Sequence, residues 1–146
     1  MKKATLLLAC LFTLCTAFAY ADNERPIQTS QLPEAAQQFI KRHFADSKVA
    51  LAKMETEFLS KSYEVIFASG EHIEFDGNGN WTEIDCNTSS VPTEAVPAPI
   101  VEYIRTNYPD ATVRKREKDR REYEVKLSNR IELTFDLKFN LIDIDM

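Results

Sequence analysis

Apolar residues recur along this chain with two different periods. Leu32, Ala36, Phe39, Ile40 and Phe44 fall at helical spacing, with Glu34, Gln37, Lys41 and Arg42 between them. Val96, Ile100, Tyr103, Ile104 and Tyr108 form a second stripe of the same kind, which Pro109 ends. Pro33 suits a first helical position, where its missing N–H costs nothing. Each helix is apolar on one side only and needs an apolar surface to lie on. After each stripe the period changes to two. Tyr63, Val65 and Phe67 alternate with Glu64, Ile66 and Ala68, and Ile73 and Phe75 with His72 and Glu74. Further on, Tyr123, Val125 and Leu127 alternate with Glu122, Glu124 and Lys126, and Ile131, Leu133 and Phe135 with Glu132 and Thr134. This alternation predicts strands with one buried and one wet face. Short links such as Ser69-Gly70 and Asn129-Arg130 predict antiparallel hairpins. A further strand is expected around Val49–Glu55 and another around Thr112–Lys118.

The whole pattern is written twice. Leu32-Pro33 matches Val96-Pro97 at an offset of 64, and Tyr63-Glu64-Val65 matches Tyr123-Glu124-Val125 at an offset of 60. Ile73-Glu74-Phe75-Asp76 and Glu83-Ile84-Asp85 have counterparts in Leu133-Thr134-Phe135-Asp136 and Asp143-Ile144-Asp145. The change of offset places a length difference in one loop, where it costs little. The expected fold is therefore α+β. It has two tandem repeats, each one helix followed by a four-stranded antiparallel sheet, with the helices on one face and an open sheet face on the other. The expected boundaries are a signal peptide at 1–21, an N-terminal extension at 22–31, repeats at 32–86 and 96–146, and a polar linker at 87–95.

The leader assignment rests on Lys2 and Lys3, the apolar run Ala4 to Phe18, and the small-x-small site Ala19-Tyr20-Ala21. Cleavage after Ala21 predicts a periplasmic or secreted protein with no membrane span in the mature chain. Leu7-Leu8-Ala9-Cys10 is a weak lipoprotein box with too short an apolar run before it. Cleavage also removes Cys10 and Cys15 and leaves Cys86 alone, so no internal disulfide can form. Cys86 falls on the apolar parity of its strand and reads as a small buried hydrophobe. Without Lys2 and Lys3, 16 of the 18 basic residues remain against 23 acids, a net charge of −7. That balance argues against nucleic acid as a partner.

Little in the chain resembles catalytic chemistry. Asp76-Gly77-Asn78-Gly79-Asn80 opens like a calcium loop, but Trp81 and Asn87 stand where such a loop needs glycine and a bidentate glutamate. A hairpin turn accounts for it. His43 and His72 form no metal-ligand pair, and no nucleophile, phosphate-cradling or redox motif is present. No catalytic, cofactor-binding or metal-binding residue and no cofactor is expected. The basic run from Arg114 to Arg121 falls where a hairpin should turn and reads as a solvated tip. The opposite charge is better organised. On the parity that is not apolar lie Glu64, Glu74, Glu83, Asp85, Glu122, Glu124, Glu132, Asp143 and Asp145, with Trp81 expected at or near the same surface. Charge there opposes edge-to-edge aggregation, and it also suits recognition of a basic protein or peptide.

Taken as a set, L-P … F-I … Y-E-V … I-E-F-D … N-G-N-W … I-D-C, then V-P … Y-I … Y-P-x-A … Y-E-V-x-L … L-x-F-D, resembles the PepSY-like family. These are small exported proteins of Bacteroidetes similar to β-lactamase inhibitory protein. The resemblance spans roughly Leu32 to Met146. It implies tandem helix-plus-sheet units with a concave binding surface, an exported setting and no enzymatic activity. The disulfides that brace the inhibitory protein have no counterpart here, which argues against a β-lactamase as the target. The expected function is a non-enzymatic binding or inhibitory module that presents its acidic sheet face to an unidentified exported protein or peptide. The alternative is a structural or envelope-stress protein with no specific partner on that face.

Overall fold

The computed structural model describes residues 23–146. The elements follow as β1 (Glu24–Ile27), α1 (Glu34–His43), β2 (Val49–Glu57), β3 (Ser60–Phe67), β4 (His72–Asp76) and β5 (Trp81–Asp85). Then come α2 (Ala98–Asn107), β6 (Val113–Lys118), β7 (Glu122–Leu127), β8 (Glu132–Asp136) and β9 (Leu141–Asp145). The expected leader, with Cys10 and Cys15, lies outside the described residues. Pro33 and Pro97 cap the two helices, which start one residue later, and Lys41 and Arg42 close the first with positive charge at its carbonyl end.

The expectation of two repeats, each with its own four-stranded sheet, does not hold. All nine strands form one antiparallel sheet in strict chain order, β1 to β9. Two features make it so. The sheet does not stop at β5: Glu83, Ile84 and Asp85 pair with Glu117, Arg116 and Lys115 of β6. A further strand, β1, comes from the extension and pairs Glu24–Ile27 with Ala52–Glu55. The segment expected as a polar linker is partly core, since Val91 and Ala95 are buried and the Val91 N–H donates to the Val113 carbonyl. Joining the sheets removes two open edges, and an open edge invites pairing with other chains.

Across one face of the sheet runs the row Ala52, Val65, Ile73, Ile84, Arg116, Val125, Leu133 and Ile144, each opposite the next on the neighbouring strand. Both helices lie on this face. Phe39 of α1 meets Phe75 edge-on at 6.0 Å, and Tyr103 of α2 meets Phe135 edge-on at 5.5 Å. A single core of buried residues runs from Leu32 to Phe135 through both helices and the sheet. Cys86 is fully buried in it, and desolvation pushes its thiol up to about 11, so it packs as an inert hydrophobe.

Arg116 is the exception in the apolar row. It is 3% exposed, its guanidinium lies 3.6 Å from the centre of the Trp81 ring and 5.2 Å from that of Tyr123, and its Nε has no hydrogen-bond partner. Two aromatic faces take the place of a carboxylate here. Burial lowers its pKa to about 9, still high enough to leave it charged at neutral pH.

The turns after β4 and β8 are built alike. Asp76 Oδ1 accepts from the N–H groups of Asn78 and Asn80, and Asp136 Oδ1 from those of Lys138 and Asn140. The side chains of Asn80 and Asn140 donate to the second carboxylate oxygen. The aspartate thus folds the turn itself, as the hairpin reading expects. Gly79 and Phe139 occupy the same place with φ +86° and +67°.

Candidate functional site

The face away from the helices carries the other parity of every strand. One row across it reads Lys53, Glu64, Glu74, Glu83, Glu117, Glu124, Thr134 and Asp143, each directly opposite its neighbour. Five consecutive strands therefore place five glutamates side by side. The next row reads Leu51, Ile66, His72, Asp85, Lys115, Lys126, Glu132 and Asp145. Like charges directly opposite on adjacent strands cost stability, so this face is built against its own electrostatics.

Cations relieve only part of the row. Lys53 reaches Glu24 at 3.2 Å and Glu64 at 2.5 Å. Lys115 reaches Glu83 at 2.9 Å and Glu117 at 3.8 Å, and His72 Nε2 lies 3.1 Å from Glu83. Among the described residues Glu74 and Glu124 have no cation within ion-pair distance. Desolvation by the crowded face raises the carboxyl of Glu74, and the charges of Glu83 and Glu64 raise it further. Glu124 rises for the same reasons, with Glu117 and Glu132 as its nearest repelling charges.

A carboxyl raised in the folded state contributes stability that is full below its unfolded value and is lost as pH rises through its folded value. Stability is therefore expected to increase as pH falls from neutral through the raised range of these two carboxyls. Asp136, held low by Asn140 and by its own turn, acts in the opposite sense at lower pH, where its protonation costs stability. Urea midpoints at pH 7 and pH 5 check this, and Glu74→Gln with Glu124→Gln should flatten the rise between them.

Of the residues expected on this surface, Glu64, Glu74, Glu83, Asp85, Glu122, Glu124, Glu132, Asp143 and Asp145 share the open face. Trp81 does not. The pairing shifts between Glu74 and Phe75, so Thr82 bulges and Trp81 falls opposite Phe75 on the helix side, beneath Arg116. Sequence reasoning missed Glu117 and Lys115: a strand was expected around Thr112–Lys118, but the basic run was read as its tip, whereas Arg114 to Lys118 lie within β6 and only the residues after them turn. It also missed Lys53, the one cation at the other end of the row. A third omission lies off the face, at the turn between β2 and β3. Phe58 and Leu59 are fully exposed there, and Phe58 has φ +50°. An apolar pair between two alternating stretches, where turns normally carry polar residues, was the available signal.

A chain-ordered antiparallel sheet, with helices on one face and an open carboxylate face on the other, defines this chain as a small, single-sheet α+β protein. Residues 61–143 match the family described as "Putative beta-lactamase-inhibitor-like, PepSY-like", and the chain belongs to that family. A crystal structure described as a "putative calcium-regulated periplasmic protein" from Bacteroides thetaiotaomicron is 65% identical. The match covers 86% of this chain and 99% of that one, with a TM-score of 0.83. A putative periplasmic protein of the DUF2874 family from Bacteroides vulgatus is 56% identical over the same shares, with a TM-score of 0.84. Another Bacteroides vulgatus structure, described as a putative periplasmic protein of unknown function, is 34% identical. It covers 84% of this chain and 99% of its own, with a TM-score of 0.79. No curated protein matches the chain. Among the described residues no helix is long and apolar enough to cross a membrane.

Proposed function

We propose that this chain is a non-enzymatic, exported binding module whose open sheet face docks a basic segment of another exported protein. The observation that carries this reading is the lateral row Glu64, Glu74, Glu83, Glu117 and Glu124, in which Glu74 and Glu124 lack a cation. A face kept merely soluble would intersperse its charges. A continuous row of one sign lowers stability and is repaired when a positively charged partner lies along it. Such a surface gives association rate and selectivity first, and its effect falls with salt.

A second reading of the same face follows from the 65% identical structure described as a "putative calcium-regulated periplasmic protein". Glu64, His72 and Glu74, and likewise His72, Glu83 and Asp85, bring possible ligand atoms within 4.8 Å of one another. On this chain a calcium ion would act there, through the carboxylate oxygens, which suit it better than imidazole does. It would compete with a basic segment for the same charge.

The test is a cross-linked capture by the tagged protein in its own periplasm, at low and high salt and with and without millimolar calcium. The expected result is one exported protein recovered at low salt, lost at high salt and reduced by calcium. Recovery of nothing at either salt would move the assignment to a structural or envelope-stress role.

A further inference from the structure

We propose that the free edge of β9 accepts an extended, basic segment of a partner protein as a tenth strand of the sheet. The inference rests on the edge of β9 and not on the row from Glu64 to Glu124, and it holds or fails separately.

The argument comes from β5, where the corresponding edge is already occupied. Glu83, Ile84 and Asp85 of β5 pair with Glu74, Ile73 and His72 of β4. Asp143, Ile144 and Asp145 of β9 pair in the same way with Thr134, Leu133 and Glu132 of β8. Both pairings shift at the same place, before Phe75 and before Phe135, and both follow the same aspartate-asparagine turn. The far edge of β5 carries β6, with Lys115 opposite Asp85 and Arg116 opposite Ile84. Among the described residues the far edge of β9 carries nothing.

Burial records the difference. Ile84 and Cys86 are 0% exposed, whereas Ile144 is 41% and Met146 96% exposed, and Ile142 is 55% exposed beside them. The backbone is also set for pairing. The Cys86 N–H donates to the Arg114 carbonyl at 2.8 Å, across to β6. Alternate residues of an antiparallel strand turn both backbone groups to the same side. Ile84 therefore faces β6 as well, and the matching Ile144 and Met146 turn their N–H and C=O groups to the empty edge.

The two ends of the sheet are treated differently. β1 is short and includes Pro26, which has no N–H to offer, a common way to blunt an edge. β9 has neither proline nor lysine. Its charges are Asp143 and Asp145, with Glu132 alongside on β8. A second copy laid antiparallel on β9 would set aspartates near aspartates, which argues against self-pairing. A strand with lysine or arginine at alternate positions and apolar residues between them fits both the charge and the exposed isoleucines. Strand addition of this kind takes its affinity from main-chain hydrogen bonds and its selectivity from alternate side chains.

The probe is a fluorescent peptide alternating lysine with valine, titrated by anisotropy into the protein recovered from the periplasm. A matching peptide with proline in place of each valine keeps the charge but cannot pair. Ile144→Pro removes an outward N–H without taking one from β8, and Asp145→Lys reverses the edge charge on an exposed side chain. Binding is expected to fall at least about tenfold with the proline peptide and with Ile144→Pro, and several-fold with Asp145→Lys. Glu74→Lys with Glu124→Lys, which alters only the charged face, should weaken the two peptides alike and leave the ratio between them unchanged. Equal binding of the proline peptide would overturn the proposal even if Ile144→Pro fails to fold. So would loss of the ratio between the two peptides through the Glu74 and Glu124 changes alone, or self-association of the protein that Ile144→Pro abolishes.

Discussion

Replacing Glu74 and Glu124 together by lysine is expected to make the protein more stable and to weaken the proposed capture of a basic partner. Each glutamate lies opposite two other acids in its row, apart from Thr134 beside Glu124, and neither has a cation. Reversal turns like-charge contacts into attractive ones with Glu64 and Glu83 at one site and with Glu117 at the other. Cross-strand pairs are worth roughly 0.2–1 kcal/mol each. The double variant should therefore gain about 1–2 kcal/mol, a rise of several degrees in melting temperature for a domain of this size. Capture of a basic partner should fall at least about tenfold, equivalent to about 1.4 kcal/mol. The opposed signs are what make the result informative, because a variant that simply misfolds would lose both. Thermal denaturation and capture at low salt measure the two quantities on the same sample. Loss of stability would show that the acidic row is not strained, and unchanged capture would remove the face from function.

The largest loss of stability from a single methyl group is expected at Gly79. A Cβ there would lie 2.8 Å from Pro33 Cβ, 2.9 Å from the Ala36 nitrogen and 3.2 Å from Ala35 Cβ, at φ +86°. The turn is pressed against the first turn of α1, the helix whose Phe39 packs on Phe75. Phe139, in the equivalent turn at φ +67°, shows that a side chain can be borne in this backbone conformation when it has room. That ring has space to stack on Tyr123 at 5.3 Å. The demand for glycine at 79 is therefore mainly one of space. Gly79→Ala should cost about 2–4 kcal/mol, from the conformation and the overpacking together. Gly70→Ala has a similar φ of +95° and nothing within 4 Å, so it should cost only about 1 kcal/mol. Urea denaturation of the pair separates the two causes. Equal losses would mean that α1 does not press on the turn.

The helices and most strands were legible because their apolar residues keep a strict period, and the family was legible because those residues recur as a set. The single sheet was not. Its joining strand β6 reads Val-Arg-Lys-Arg-Glu-Lys, and the buried position at its centre is an arginine held by two aromatic rings. A strand was expected there, around Thr112–Lys118, but its charged inward residue hid that it pairs with β5. The added strand β1 has four residues and a proline, too little pattern to register. Nine of the ten residues expected on the open face do share it, because parity alone places them. Trp81 was misplaced because one bulged residue reverses parity, and nothing in Trp-Thr-Glu-Ile-Asp marks the bulge. The continuity of the glutamate row was out of reach for a related reason: it depends on the β5–β6 register, which places Glu83 opposite Glu117.

Carboxyl-group footprinting tests the docking face most directly. The protein is labelled with a carbodiimide and glycine ethyl ester, alone and in the complex captured at low salt, and each acid is read by mass spectrometry. The account predicts protection of Glu74, Glu83, Glu117 and Glu124, with Glu34 and Glu102 on the helices labelled equally in both states. Protection confined to the helix acids, with the glutamate row labelled as freely in the complex as alone, would contradict it.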